Sequence, residues 1–408
     1  MSLASGAAPS LPGTNVSRLA STVGWGCYCA SSWTWCIGMF LPIILLARFG
    51  WPGFWAFLIP NVLGCAAFGY IFDAESSRRF ATDHARAIRW FAAATIAFQV
   101  FFLGWSSGTF IYGPEAAMAG DAAMVGTMTD SMVWPVLGTM LTWSVGAVAL
   151  ASRGDSFWRW FGVASIGVGL VLLGLVIDRA DGLPTTAPRE TGLSVAAAAP
   201  IIALGFICCP ALDPTFHRAR QQAPSRHAFA VFGVAFAAML VLAAWVFESP
   251  FGIAAALLPF VVTQWTVQIV FTIGAHVREI KLLPGALFGP GPMVLGAILV
   301  GAAAGLPALA SEATYMGFLG LYAVPFPIYV VAAAVAGRGR LEPGSGWLTL
   351  VVSGIAAPFA WLGFVDERTI LLLPAAAIVA IGGWLIGRRS RQCRLRRADS
   401  GAEAAPSA

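Results

Sequence analysis

The chain has 408 residues, of which 58% are hydrophobic and 11% are charged. Soluble globular proteins carry about a quarter charged residues, so this composition excludes a soluble protein and predicts an integral membrane protein. The formal net charge of +5 follows from the bias of membrane proteins toward basic cytoplasmic segments. It does not indicate nucleic acid as a partner.

Residues 1–20 read "MSLASGAAPSLPGTNVSRLA" and are mostly small or polar. They lack the basic start and the compact apolar core of a cleavable signal peptide. We therefore expect a disordered cytoplasmic tail in front of the first membrane helix. No other polar stretch is long enough for a soluble domain, because the longest internal loops have about 15–18 residues.

Apolar runs of about 20 residues, the length that crosses the ~30 Å hydrocarbon core of a bilayer, follow one another along the rest of the chain. The sequence therefore predicts an all-α integral membrane protein with twelve transmembrane helices. The predicted spans are 23–47, 51–73, 88–112, 131–151, 157–178, 193–212, 228–247, 250–275, 284–306, 313–336, 345–364 and 368–387.

The basic residues support this number of spans. With the N-terminus in the cytoplasm, 20 of the 24 Lys and Arg residues fall on the cytoplasmic side, as the positive-inside rule expects. We therefore expect a multi-pass protein of the cytoplasmic (inner) membrane with both termini inside. The C-terminal tail 388–408, which contains "RRSRQCRLRR", is predicted to lie against anionic lipid headgroups.

Two predicted spans carry residues that interrupt a helix near its middle. In hydrocarbon every backbone N–H and C=O group needs a partner, so unwound backbone persists only where it lines a cavity or is buried in protein. Transporters built from inverted repeats place such an interrupted helix at the same position in each repeat. The interrupting residues are Ser31, Ser32, Thr34, Gly38 and Pro42 in the first span, and Pro200, Gly205, Pro210 and Pro214 in the sixth.

The first and sixth spans correspond if the chain contains two repeats of five spans. Residues 21–192 would then form the first repeat and residues 193–340 the second. Because five is odd, the two repeats would insert with opposite topology, as an inverted repeat requires. Residues 341–387 would add two further helices.

The stretch "ASSWTWCIGMFLP" in the first span resembles the first broken helix of the sodium/solute symporter family, particularly its proline-transporting branch. The stretch "DPTFHRAR" is similar to the end of that family's second broken helix, through Asp213, Pro214 and Arg218. The chain departs from the family pattern where Ser32 replaces an aspartate and where Thr263 is followed by Gln264. The matching residues of the first stretch are Ala30, Ser31, Thr34, Met39, Leu41 and Pro42.

This resemblance implies the leucine-transporter fold of the amino acid/polyamine/organocation superfamily. It also implies a Na⁺ site between the first and eighth spans. The backbone carbonyls of Ala30 and Trp33 would contribute to this site, together with the hydroxyls of Thr263 and Thr266.

The residues themselves favour a cation held by neutral oxygens. No Asp, Glu, Lys, Arg or His is expected near the centre of any span. This argues against proton coupling, which needs an intramembrane titratable group, and against a strongly charged solute. An inner gate is predicted at Asp213, His217 and Arg218. The predicted solute-binding residues are Ser32, Thr34, Trp35, Gly38, Gln99, Trp105, Gly205, Phe206 and Tyr322.

These patterns favour a secondary active transporter that moves a small polar, near-neutral solute by alternating access, with Na⁺ as the coupling ion. The solute would resemble an amino acid, a sugar or a nucleobase. One alternative is a membrane sensor, or an orphan, with the same fold. Another is a soft-metal carrier that uses Cys27, Cys29, Cys208 and Cys209. The sequence contains no HExxH, P-loop or GxSxG motif, so we do not expect an enzyme.

Overall fold

The computed structural model describes residues 15–38, 40–112, 130–177, 188–190, 192–246, 263, 265–284 and 289–399, and the secondary structure of this part is helical throughout. Within these ranges, nine helices are long and apolar enough to cross a membrane. The protein is therefore an all-helical, multi-pass membrane protein. A helix overlaps each of the twelve predicted intervals.

The helices are numbered in chain order. They are α1 (Asn15–Trp33), α2 (Leu41–Ile71), α3 (Ala74–Asp83), α4 (Ala85–Tyr112), α5 (Asp130–Leu150), α6 (Asp155–Val176), α7 (Gly192–Cys208), α8 (Pro214–Gln222), α9 (Ala228–Val246), α10 (Val270–Leu282), α11 (Pro290–Ala304), α12 (Glu312–Ala323), α13 (Pro325–Val335), α14 (Ser345–Phe364) and α15 (Leu372–Asp399).

The first span is interrupted where the sequence predicts. A π-helical turn, Thr34–Gly38, follows α1. Within it Cys36 has a φ of 55°, a left-handed conformation that is uncommon for a residue with a side chain. The chain becomes α-helical again at Leu41, with Pro42 in the first turn, where proline suits a helix start.

The two ends of the chain differ from the expected simple tails. Residues 15–20 were predicted to be disordered, but α1 begins at Asn15, so the disorder prediction is wrong for this part of the tail. Residues 1–14 lie outside the described residues. At the C-terminus, α15 continues through the basic segment as far as Asp399.

The join between the first two spans is a sharp turn at Gly50. This residue has φ 67° and ψ −163°, a combination that only glycine adopts without strain. Pro52 follows in the first turn of the next helical segment, where its missing N–H costs little. Gly50 therefore divides α2 into a segment 41–49, which completes the first span, and a segment 51–71, which is the second.

The sixth span is interrupted at Pro210, one of the interrupting residues named from the sequence, and not at Gly205. α7 runs unbroken through Gly205 to Cys208, so the prediction of unwound backbone at Gly205 is wrong. A 3-10 turn at Cys209–Ala211 follows, in which Pro210 provides no N–H for a continuing helix. Asp213 then caps the short helix α8, which begins with Pro214.

The eighth span also contains a distorted turn. A π-helical turn, Trp265–Ile269, precedes α10. The helix continues to Leu282, which is seven residues beyond the predicted end of the span. Residues 251–262 of this predicted span lie outside the described residues.

The interrupted helices occupy the middle of the bundle. All residues from Gly24 to Trp33 in α1 are buried, and α1 packs against α6, α8, α9 and α10. The apolar part of α4 is mostly buried, whereas α5 and α14 expose most of their surfaces. In a bilayer, exposed apolar helices of this kind face lipid. The polar residues Ser31, Ser32, Gln99 and Thr215 of these inner helices are buried in protein.

Candidate solute-binding site

A cavity of about 410 Å³ lies where the two interrupted helices meet. The cavity is bounded by α1, α4, the junction between α7 and α8, and α12. Its lining residues are Ser32, Trp33, Ile37, Phe91, Thr95, Phe98, Gln99, Phe206, Cys209, Asp213 and Tyr322.

Asp213 connects the two interruptions. The indole Nε1 of Trp33 donates a hydrogen bond of 2.5 Å to Oδ2 of Asp213. The backbone N–H of Thr215 donates to Oδ1 at 2.7 Å, and the Thr215 hydroxyl donates to the same oxygen at 2.6 Å. The Thr215 hydroxyl also lies 3.2 Å from Oγ of Ser32. The cap of α8 is thereby bonded directly to the end of α1.

The backbone of the first interruption is held by neighbouring helices. The Tyr315 hydroxyl of α12 donates to the carbonyl oxygen of Cys36 at 2.8 Å. The Cys36 thiol in turn donates to Oε1 of Gln99 on α4 at 3.1 Å. Thr34 donates to the carbonyl oxygen of Ala30 at 2.6 Å. These contacts fix the unwound turn against two helices that also line the cavity.

Aromatic rings form much of the cavity wall. Tyr322 packs edge-on against Phe91 at 5.4 Å between ring centroids, and its hydroxyl lies 3.0 Å from the hydroxyl of Thr95. Phe206 packs edge-on against Phe57 at 4.8 Å. The site therefore combines apolar walls with a few fixed polar groups, as is typical of sites for small molecules.

A buried histidine faces Asp213 from the eighth span. His276 is 0% exposed and Asp213 is 1% exposed. The Nε2 atom of His276 lies 3.7 Å from Oδ1 of Asp213. Nδ1 lies 2.9 Å from the carbonyl oxygen of Thr272. The sequence analysis assigns Asp213 to a span end, and in the structure this residue is buried beside His276.

No protein-family model matches the sequence, and no curated protein matches it. Among solved structures, the chain is similar to the one titled "Inward facing conformation of Mhp1". The identity is 15%, the alignment covers 91% of each chain, and the TM-score is 0.45.

Four of the predicted solute-binding residues line the cavity: Ser32, Gln99, Phe206 and Tyr322. Ser32 and Gln99 supply hydrogen-bonding groups from α1 and α4. Phe206 and Tyr322 also line a second, apolar cavity of about 560 Å³ that extends toward Arg48. These two rings therefore lie between the polar cavity and one end of the molecule.

Four other predicted solute-binding residues, Thr34, Gly38, Trp105 and Gly205, make contacts outside the cavity lining. Thr34 bonds to its own helix. A Cβ at Gly38 would lie 2.7 Å from the Phe236 ring, and one at Gly205 would lie 3.1 Å from the Tyr322 carbonyl oxygen, so both glycines serve close packing. Trp105 stacks within an aromatic cluster with Phe101. The side chain of Trp35 lies outside the described residues.

Two of the four predicted Na⁺ ligands, Ala30 and Trp33, make described contacts with protein groups. The Ala30 carbonyl accepts the Thr34 hydroxyl, and Trp33 contacts Asp213 through its indole. The hydroxyl from the eighth span that faces the carbonyls of α1 belongs to Thr272, at 3.4 Å from the nearer one. The side chain of Thr266 lies outside the described residues, and Na⁺ binding stays a prediction.

The three predicted gate residues have three different surroundings. Asp213 lines the cavity. His217 is bonded to Ser77 of α3 and to the Ala211 carbonyl, at 2.9 Å in each case, and its burial lowers the pKa of the imidazole to about 4. Arg218 pairs with Glu279 of α10, with Nε at 3.2 Å from Oε2. Arg218 therefore joins α8 to α10 through an ion pair.

The Arg218–Glu279 pair belongs to a larger ionic network. Glu279 also accepts from Arg278 at 2.8 Å and lies 3.5 Å from the Tyr28 hydroxyl. Arg278 in turn pairs with Asp155 at the start of α6. A cavity of about 670 Å³ opens beside Arg218 and Glu279. The network links α1, α6, α8 and α10 at the end of the molecule that is predicted to be cytoplasmic.

A second network closes the opposite end, and the sequence analysis missed it. Arg48 forms an ion pair with Glu190 and donates to the carbonyl oxygens of Phe364 at 2.8 Å and Gly363 at 3.1 Å. Burial alone would raise the pKa of Glu190, but hydrogen bonds from Thr369 and Arg48 outweigh it, and the pKa is lowered. This network joins the first span to α14 and to the turn before α15.

The cysteines serve packing in the described part of the chain. No group of three or more His, Cys, Asp or Glu residues there could hold a metal ion. Cys65 contacts the Phe206 carbonyl at 3.8 Å, and Cys209 contacts the Tyr322 carbonyl at 3.5 Å. Both thiols thus act as weak donors between helices, and the geometry gives the soft-metal alternative no support.

Proposed function

We propose that the chain is a secondary active transporter of the cytoplasmic membrane. It would move a small polar, near-neutral solute by alternating access. The observation that supports this most directly is the meeting of two interrupted helices at a partly polar cavity. Irregular backbone at membrane depth persists where it lines such a cavity. In transporters with inverted repeats, paired interruptions of this kind hold the solute.

The lining predicts how the solute would be held. Gln99 offers both a donor and an acceptor, and Ser32 adds a hydroxyl at the end of α1. Thr95 lies one turn from Gln99 on the same face of α4, and its hydroxyl lies 3.0 Å from that of Tyr322. Rings of Phe91 and Phe98 cover the remaining surface. This combination suits a ring-shaped or branched solute of amino-acid, sugar or nucleobase type.

Alternating access requires that the cavity opens to one side of the membrane at a time. A separate ionic network lies on each side of the cavity. The Arg48–Glu190 network and the rings of Phe206 and Tyr322 lie on one side of the cavity. The Arg218–Glu279 network lies on the other. Because α7 and α8 are joined only by the turn Cys209–Ala211, they can move separately. We therefore propose that one network breaks while the other stays closed.

The proposal includes coupling to a cation gradient, for which the sequence predicts Na⁺. Both ends of the chain are proposed to face the cytoplasm. The basic end of α15 is proposed to contact anionic lipid headgroups, because clustered Arg side chains are attracted to them. No nucleic acid is expected as a partner.

Solute counterflow tests this function without assuming a coupling ion. The purified protein would be reconstituted in vesicles loaded in turn with unlabelled L-proline, myo-inositol or uracil, and entry of the same radiolabelled compound would be measured. We expect counterflow for one of these classes, lost in Gln99→Leu and retained in Gln392→Leu, a matched change on an exposed part of α15. Binding detected by thermal shift without any counterflow would favour the sensor alternative.

A further inference from the structure

The carboxamide of Gln268 is buried without a hydrogen-bond partner. Gln268 is 0% exposed, and neither its Oε1 nor its Nε2 has a partner within the described part of the chain. Most buried polar side-chain atoms in proteins do have one, because an unpaired atom has lost its hydrogen bonds to water and gained none in return. The unpaired amide therefore lowers the stability of the fold.

Gln268 lies in the distorted turn of the eighth span. This π-helical turn, Trp265–Ile269, contacts both the first interruption, Thr34–Gly38, and α4. Single π-helical turns inside membrane and soluble helices occur frequently at functional sites. Irregular turns from two spans therefore meet beside α4, the helix that contributes Gln99 to the wall of the cavity.

The contacts of Thr272 indicate which side of the eighth span carries Gln268. The two residues are four positions apart, so they lie about one turn from each other on the same side. The Thr272 hydroxyl lies 3.4 Å from the carbonyl oxygen of Ser31 and 3.5 Å from that of Ser32. Gln268 consequently lies on the side that faces α1 and the turn after it, and Ser32 at the end of α1 lines the cavity.

We propose that Gln268 is a solute-binding residue that recognises an uncharged group with a hydrogen-bond donor beside an acceptor, such as an amide or a vicinal diol. This inference rests on the proposed transport function and adds a polar group from the eighth span to the site. A carboxamide forms both hydrogen bonds side by side without carrying charge. An ionised group of a solute would lose its hydration against this neutral amide and gain no counter-ion.

A shift of the turn Thr34–Gly38 brings Gln268 into contact with the solute, since Gln268 does not line the cavity in this structure. The turn is suited to such a shift. Within it Cys36 has a φ of 55°, which is unfavourable for a residue with a side chain. The Cys36 thiol, a weak donor, lies 3.1 Å from Oε1 of Gln99. A solute that donates to Gln99 replaces this thiol and allows the turn to relax.

The unpaired amide makes solute binding favour one conformation over the other. A ligand shifts a conformational equilibrium only through a difference in its affinity for the two states. Gln268 supplies this difference, because its amide gains partners only when the solute is bound and the turn has shifted. A solute that lacks the donor or the acceptor leaves the amide unpaired and binds more weakly. Gln268 therefore contributes to specificity as well as to affinity.

Thermal unfolding of the full chain in detergent tests the unpaired amide without any solute. Gln268→Met removes both polar atoms and keeps an unbranched side chain of similar length. We expect its unfolding midpoint to equal or exceed that of wild type, because an apolar group in place of an unpaired polar one removes a desolvation cost. Gln392→Met, on an exposed part of α15, should not change the midpoint. A midpoint of Gln268→Met below that of wild type would show that the amide stabilises the fold and would overturn the proposal.

Counterflow tests recognition of the solute. Of the three compounds named above, myo-inositol and uracil carry an uncharged donor beside an acceptor, whereas L-proline does not. We expect counterflow with myo-inositol or uracil, and a half-saturating concentration that rises ~10-fold or more in Gln268→Met through the loss of two hydrogen bonds. Asn61→Leu is the matched control and should keep the wild-type value. Asn61 is also a 0% exposed amide, and its Nδ2 has no partner among the described residues, but it does not line the cavity.

The outcomes separate a failure of this proposal from a failure of the transport function. Wild-type counterflow with L-proline alone would contradict the proposed chemistry of the solute and leave the carrier intact. An unchanged half-saturating concentration in Gln268→Met would likewise remove Gln268 from the site and keep the transport function. Absence of wild-type counterflow with all three compounds would remove the transport function, and the role of Gln268 with it.

Discussion

Nε1 of Trp33 lies 2.5 Å from Oδ2 of Asp213, and this hydrogen bond joins the two interrupted spans at the cavity. The two residues are 180 positions apart in the chain. Trp33 ends α1, and Asp213 caps α8. Any movement of one interruption relative to the other must stretch or break this bond. This hydrogen bond therefore couples the two broken helices directly.

Trp33→Phe is expected to weaken this coupling, because phenylalanine keeps an aromatic ring and removes the N–H donor. A hydrogen bond to a charged group contributes about 1.5–3 kcal/mol, so counterflow should fall by ~10-fold or more. Trp25→Phe is the matched control, since Trp25 is buried in the same helix and packs against Tyr28. Equal losses in both variants would show that the indole matters only for packing.

Glu279→Gln is expected to open the end of the molecule that contains α3 and α8. The change leaves Arg218 and Arg278 without their shared carboxylate, and an uncompensated buried charge costs about 3–5 kcal/mol. Access to the cavity would be read from the maleimide-labelling rate of Cys209, which lines it, in a chain whose other cysteines are replaced. We expect faster labelling.

The control for this experiment is Glu75→Gln. Glu75 pairs with Arg79 across one helical turn, and both side chains are about 70% exposed. Exposed pairs of this kind contribute little, so the labelling rate of Cys209 should not change. A rate that stays low in Glu279→Gln as well would contradict the assignment of this network as a closure.

The all-helical membrane architecture could be predicted from the sequence because it depends on local properties, the length and apolarity of each segment. The interruption after Thr34 was also predictable, since small and hydroxyl-bearing residues cluster there. The interruption near Gly205 was misplaced by a few residues. Gly205 and Pro210 both disfavour a helix. The helix continues through Gly205, where the absence of a side chain allows close contact with α12. The break falls at Pro210.

The buried pair of His276 and Asp213 was missed for a different reason. Hydropathy ended the eighth span at residue 275 and the sixth at residue 212, so both residues seemed to lie at the membrane surface. In the structure α10 continues to Leu282 and α8 packs against α1 and α10. Charged residues lower hydropathy even when they are buried in pairs. A window average therefore cannot show that two such residues face each other.

The close approach of α1 and α9 gives a prediction about stability. A Cβ at Gly26 would lie 2.6 Å from the Ala228 carbonyl oxygen and 2.7 Å from Cβ of Val231. Gly26→Ala should therefore destabilise the protein by about 1–3 kcal/mol, measured as a lower unfolding midpoint in detergent. Gly138→Ala is the control, because nothing lies within 4 Å of its new methyl group. A midpoint for Gly26→Ala equal to or above that of wild type would contradict this packing.

The acid sensitivity of the fold gives a prediction for His217, which lies in α8 outside the membrane spans. Burial lowers the pKa of His217 from its ordinary value of 6.5 to about 4. Between these values the unfolded chain binds a proton that the folded chain does not bind. Stability contributed by this residue therefore falls as pH decreases through this window, by about 1.4 kcal/mol for each pH unit.

The unfolding midpoint at pH 7 and pH 5 would be compared for wild type and for His217→Gln. Glutamine loses the ring contacts with Phe68 and Phe80, so the variant should unfold at a lower temperature at pH 7. Its further decrease at pH 5 should be smaller than in wild type, because it has no buried base to protonate. His84, whose pKa burial also lowers, is present in both proteins, so the difference between their pH slopes reports His217 together with its electrostatic interaction with His84. Equal slopes would mean that His217 accepts a proton in the fold as readily as in the unfolded chain.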